Sequence, residues 1–128
     1  MRTRKVTYVV ITTLFAIAML GSAFADLTLP TAIVEGFGKL GIPLYVATLL
    51  GVWKLLGVAA IAAPGLPRLK EWAYAGFFFD LSGAGVSHAV IGEPVIVPLA
   101  LLLLGMASWA LRPAGRILGT IAGRRAAS

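Results

Sequence analysis

Four long apolar runs punctuate the chain, at about residues 6–25, 40–63, 72–91 and 94–111. Each approaches the ~20 residues that an α-helix needs to cross the hydrocarbon core of a bilayer. The pattern predicts an all-α protein: a four-helix transmembrane bundle over residues 1–113, then a short basic tail over 114–128. The fourth run is the shortest. Pro94 and Pro98 fall in its first turns, where a missing backbone N–H costs least.

The polar stretches between the runs set an orientation. Arg2, Arg4 and Lys5 precede the first run, Arg68 and Lys70 lie in the turn 64–71 (PGLPRLKE), and Arg112, Arg116, Arg124 and Arg125 follow the last. Cations gather in cytoplasmic loops, so both termini and the central turn are predicted inside. Segment 26–39, with Asp26, Glu35 and Lys39, reads as an outer loop, and His88–Glu93 as a short outer turn. The first run also admits another reading. MRTRKVTYVVITTLFAIAMLGSAFA ends in a small-x-small site, Ala23-Phe24-Ala25, as a cleavable signal peptide does. Cleavage after Ala25 leaves three helices and the same orientation. The run from Val6 is longer than the ~7–15 residues of a signal core, which favours a retained helix. Beyond Pro113, Arg116, Arg124 and Arg125 and the glycines at 115, 119 and 123 read as a loosely ordered basic tail rather than an interfacial helix.

Composition agrees with the pattern. Of 128 residues 59% are hydrophobic and 12% charged, with mean hydropathy +0.95, where soluble domains carry about a quarter charged residues. The net charge of +6 is spread over the ends of apolar runs, which fits topology rather than nucleic-acid binding. With no cysteine, disulfides, thiol redox chemistry and thiolate metal sites are excluded. The single histidine excludes bis-histidine haem ligation within one chain. No metal-ligand spacing, nucleophile–base pair or nucleotide motif appears, so the residues themselves name no cofactor. The glycines at 83 and 85 lack the setting of a phosphate loop.

Candidate chemistry lies in the charges within the runs. Lys54 is nine residues from Ala63 and Asp80 nine from Glu71, so each sits roughly 13–14 Å from the cytoplasmic end of its helix. Helical spacing puts Ala73, Gly76, Phe77, Gly83, Ala84 and Ser87 on the face of Asp80, all small but Phe77, and Ala47, Gly51 and Val58, with Gly57 at the edge, on the face of Lys54. Small stripes mark close helix approach in lipid, so both charges are predicted to point into the bundle, with Phe78, Phe79 and Leu81 more toward lipid or other helices. A charge near midplane costs at least ~2.5–3.5 kcal/mol and is usually paired or beside water. A Lys54–Asp80 ion pair is the expectation. Ser87 and His88, farther along the same broad side, extend it to a candidate polar cluster of Lys54, Asp80, Ser87 and His88. Two readings stand: a polar path for protons or a headgroup, or a structural pair with His88 at the wet interface beside Glu93. Structural pairing is the more frequent case. Glu71 suits the positive end of a helix dipole, and Trp72 and Tyr74 suit the headgroup belt.

The run WKLLGVAAIAAPGLPRLKEWAYAGFFFDLSGAGVSH resembles the centre of the DoxX-like family of small bacterial integral membrane proteins. TYVVITTLFAIAMLGSAFADLTLP, LGIPLYVATLLG and SWALRP resemble its first helix, the start of its second and its close, so the resemblance covers roughly residues 6–113. It implies a multi-pass protein of the bacterial inner membrane with a retained first helix. Family-motif residues map onto Lys54, Glu71, Trp72, Asp80, Ser87 and His88, with no catalytic assignment. Because the wider superfamily includes a subunit of a thiosulfate:quinone oxidoreductase, it suggests an accessory or structural subunit beside a quinone-linked redox or stress-response system. Quinone is the one cofactor it raises. The alternatives are a proton-coupled small-solute carrier using Lys54 and Asp80, and a quinone-reactive oxidoreductase subunit. Expected partners are the lipid bilayer, other membrane subunits or further copies of the chain, and no nucleic acid.

Overall fold

A 27-residue helix, α1 (Arg2–Thr28), begins the chain and buries Tyr8, Phe15, Met19, Ala23 and Asp26 along one stripe. The intervals of seven, four, four and three match the repeat of a helix face that packs on neighbours. Helix α2 (Thr31–Leu40) follows after Leu29 and Pro30, then α3 (Tyr45–Ala62), α4 (Pro67–Val90) and α5 (Ile96–Ala110). The computed structural model describes residues 2–112, and these are all-helical, with no strand among them. The basic tail expected over 114–128 lies outside the described residues.

Several expected boundaries are corrected. The outer loop over 26–39 is largely helical: α1 runs past Ala25 to Thr28, and α2 occupies Thr31–Leu40. Glycines and charges hid α2 from a hydropathy reading. It is a ten-residue helix with no buried residue, closed by Gly41 in the left-handed region at φ 69°, where glycine has no Cβ penalty. The second run becomes helical only at Tyr45, because Pro43 disfavours helix in the residue before it. The third starts at Pro67 rather than 72. Proline at the first helical position is preorganised, and the turn before it passes through left-handed Gly65 and Leu66.

Helix α1 packs on α3 and α5, and α4 packs on the same two, so four helices close a ring that leaves α2 outside. Neighbours run antiparallel. Thr12 meets Ser108 and Phe15 meets Gly105, so numbers fall on α5 as they rise on α1. The core gathers Phe15, Met19, Val58, Ile61, Tyr74, Phe77 and Leu81, with Phe15 and Phe77 edge-to-face at 5.2 Å. Three glycines permit this approach, a Cβ on Gly57 coming closest, at 2.7 Å from the Phe77 ring. A Cβ on Gly105 would lie 2.9 Å from the Phe15 ring, and one on Gly51 would lie 2.8 Å from Leu27 and 3.1 Å from the Ala23 carbonyl.

The face of α3 that turns inward carries Ala47, Gly51, Lys54, Val58 and Ile61, the stripe expected around Lys54. The α4 expectation is corrected. Its buried face is Lys70, Tyr74, Phe77, Leu81 and Gly85, so Leu81 points inward while Gly76 and Gly83 are exposed. Larger side chains fill a ring of four helices better than a glycine stripe does, and Asp80 sits at the edge of the packed face. Outward lie Ile17, Phe24, Leu56, Phe79, Val86 and Leu103. Helices α1 and α3 are long and apolar enough to cross a membrane, and α5 is a shorter apolar helix.

Candidate functional site

The ammonium of Lys54 organises the polar centre of the ring. It donates to Asp26 Oδ2 at 2.6 Å and to Ser22 Oγ at 2.9 Å, both on α1, and lies 3.8 Å from Asp80 Oδ2 on α4. Asp26 and Ser22 stand four residues apart, on the continuation of the stripe that buries Phe15 and Met19. The close α1–α3 approach at Gly51 brings them within reach of Lys54. The side chains are nearly enclosed, with 11% of Lys54, 7% of Asp26 and 17% of Asp80 exposed. A buried ion pair holds when further hydrogen bonds satisfy its charges, and Ser22 contributes one.

Lys54 and Asp80 thus come together, but the tighter partner of Lys54 is Asp26, which the sequence reading placed in a loop. The signal was present: Phe15, Met19, Ser22 and Asp26 continue one helical face across the Ala25 boundary. Ser87 and His88 do not join the cluster's hydrogen bonds. His88 Nδ1 lies 3.4 Å from Glu93 Oε2, and Glu93 Oε1 lies 3.9 Å from Lys39, so His88 belongs to a group linking the end of α4 with α2.

A second polar layer lies on the other side of the Phe15–Phe77 contact. Ser108 shares hydrogen bonds with Thr12 at 2.5 Å and with Tyr74 at 2.7 Å. Beneath it, Arg112 pairs with Glu71, stands 4.9 Å over the Trp109 ring and donates to the Trp109 carbonyl at 2.7 Å. Trp109 Nε1 donates to Glu71 at 3.3 Å. Glu71 is therefore a clasp between α4 and the end of α5 rather than a residue of the helix's first turn. Lys70, expected in the cytoplasmic turn, is fully buried and donates to the carbonyls of Ala60 and Ala63, which satisfies the C-terminal end of α3. Trp72 is 80% exposed.

Two recesses open between helices. One of about 660 Å³ lies between α3 and α4 and is lined by Trp53, Lys54, Trp72, Gly76, Phe79 and Asp80, among others. The other, of about 320 Å³, lies beside Phe15, Tyr74, Gly105 and Trp109. Among the described residues no group of histidine and acidic side chains could hold a metal ion.

These features describe a helical chain that buries Asp26, Lys54, Lys70 and Ser108 among its helices while large apolar side chains such as Ile17, Leu56 and Phe79 are exposed. The sequence pattern of the DoxX-like family matches residues 10–110, and the chain belongs to that family. No curated protein and no solved structure matches it.

Proposed function

We propose that the chain is a multi-pass protein of the bacterial inner membrane, a four-helix transmembrane bundle with both termini in the cytoplasm, acting as an accessory or structural subunit. The observation that carries the reading is buried charge behind an apolar exterior. Lys54, Asp26, Tyr74 and Ser108 are buried, while leucine, isoleucine and phenylalanine side chains cover the outside, an arrangement suited to lipid. Helix α1 supports retention of the first run, because it supplies Asp26 and Ser22 to Lys54 and Phe15 to the core. Cleavage after Ala25 would remove all but Asp26. The apolar layer of Phe15, Met19 and Phe77 lies between the Lys54 cluster and the Ser108 cluster. This favours a packing role over a continuous polar path for a carrier.

The test is extraction in a mild detergent followed by native mass measurement. A stoichiometric second membrane chain, or a second copy, supports the subunit reading, and a lone monomer overturns it. Proton flux in reconstituted vesicles, lost in Asp80→Asn and kept in Glu93→Gln, would move the reading to a carrier.

A further inference from the structure

We propose that the groove between α3 and α4 binds a lipophilic cation, an organic cation carried on aromatic or alkyl bulk, with Asp80 as its counter-charge. The proposal goes beyond the subunit reading and does not depend on it.

The central cluster holds one ammonium and two carboxylates. Asp26, at 2.6 Å, and Ser22, at 2.9 Å, accept from two of the three N–H donors of Lys54. Asp80 is left at 3.8 Å from it, and no described residue makes a shorter polar contact with Asp80. Asp80 thus shares its ammonium with a nearer carboxylate, and the cluster holds negative charge in excess. Asp80 borders a groove of about 660 Å³, within the range of roughly 300–1,000 Å³ typical of small-molecule sites.

The walls of the groove are rich in aromatic rings. Trp53, Trp72, Phe77 and Phe79 all line this groove, and aromatic faces attract organic cations through the ring quadrupole. An anion would meet Asp80 with its one nearby ammonium already engaged. A neutral apolar ligand would cover the carboxylate without satisfying it. A cation with an apolar body matches both the charge and the walls. The smaller recess lacks this combination, since Tyr74 and Glu71 at its edge are already bonded to Ser108 and Arg112. Gly76 keeps the groove open: a Cβ there would meet no atom within 4 Å, so a side chain can fill the space without disturbing the packed ring.

The experiment titrates the purified full chain in detergent with tetraphenylphosphonium, following tryptophan fluorescence and heat. Neutral triphenylphosphine oxide is the comparator. Saturable binding of the cation is expected, with much weaker binding of the neutral compound. Asp80→Asn should weaken the cation's affinity about tenfold or more, as loss of a buried charge partner does. Gly76→Leu should block binding while melting like the parent, and Glu93→Gln should bind as the parent does. Absence of saturable binding overturns the proposal, as does equal affinity for the neutral compound. So does a folded Gly76→Leu chain that binds as the parent, and this variant decides even if Asp80→Asn fails to fold.

Discussion

At the scale of single residues, the two carboxylates around Lys54 are not equivalent. Asp26 is the closer and more enclosed partner, so Asp26→Asn leaves a buried ammonium without its counter-ion. Breaking such a pair costs about 3–5 kcal/mol, and the melting temperature in detergent should fall sharply. Asp80→Asn removes a contact of 3.8 Å and should change it far less. Lys54→Met combined with Asp26→Asn should recover much of the loss, and strictly additive losses would sink the pairing. The sequence brought out Lys54 and Asp80 because a short turn joins their helices, so their depths could be counted from a common end. Asp26 escaped because the small-x-small site at Ala23–Ala25 resembled the end of a segment. Whether a helix continues past such a site depends on a partner 28 residues away, which local pattern does not contain.

The elements respond most clearly through their glycines and ends. Gly51→Ala puts a methyl 3.1 Å from the Ala23 carbonyl, and overpacking of this kind costs about 1–3 kcal/mol. Gly76→Ala meets open space and should stabilise α4 by up to about 1 kcal/mol. Thermal melts of the two variants should therefore move in opposite directions. Lys70→Met strands the carbonyls of Ala60 and Ala63 at the end of α3, a loss of about 1–3 kcal/mol readable in the same assay. The long apolar helices were legible from run length alone. Helix α2 was not, since Glu35, Gly36, Gly38 and Lys39 interrupt its apolar positions. Nor was the inward face of α4: small residues can mark either a contact or a gap, and only the neighbouring helices decide which.

For the molecule as a whole, the proposed orientation has a direct test, because a chain without cysteine reports single introduced thiols cleanly. In intact cells, Glu35→Cys should react with an impermeant maleimide and Arg68→Cys should not; the reverse would overturn the orientation. Ring closure itself was beyond the sequence, since it depends on α1 touching both α3 and α5, contacts far apart in the chain. The placement of Asp26 also bears on the order of synthesis. The carboxylate emerges from the ribosome 28 residues ahead of the lysine it binds, and Asp80 emerges only later. In the proposed membrane bundle, a first helix already in place would offer Lys54 its counter-ion as α3 arrives, so this buried charge need not wait for the second half of the chain to be made.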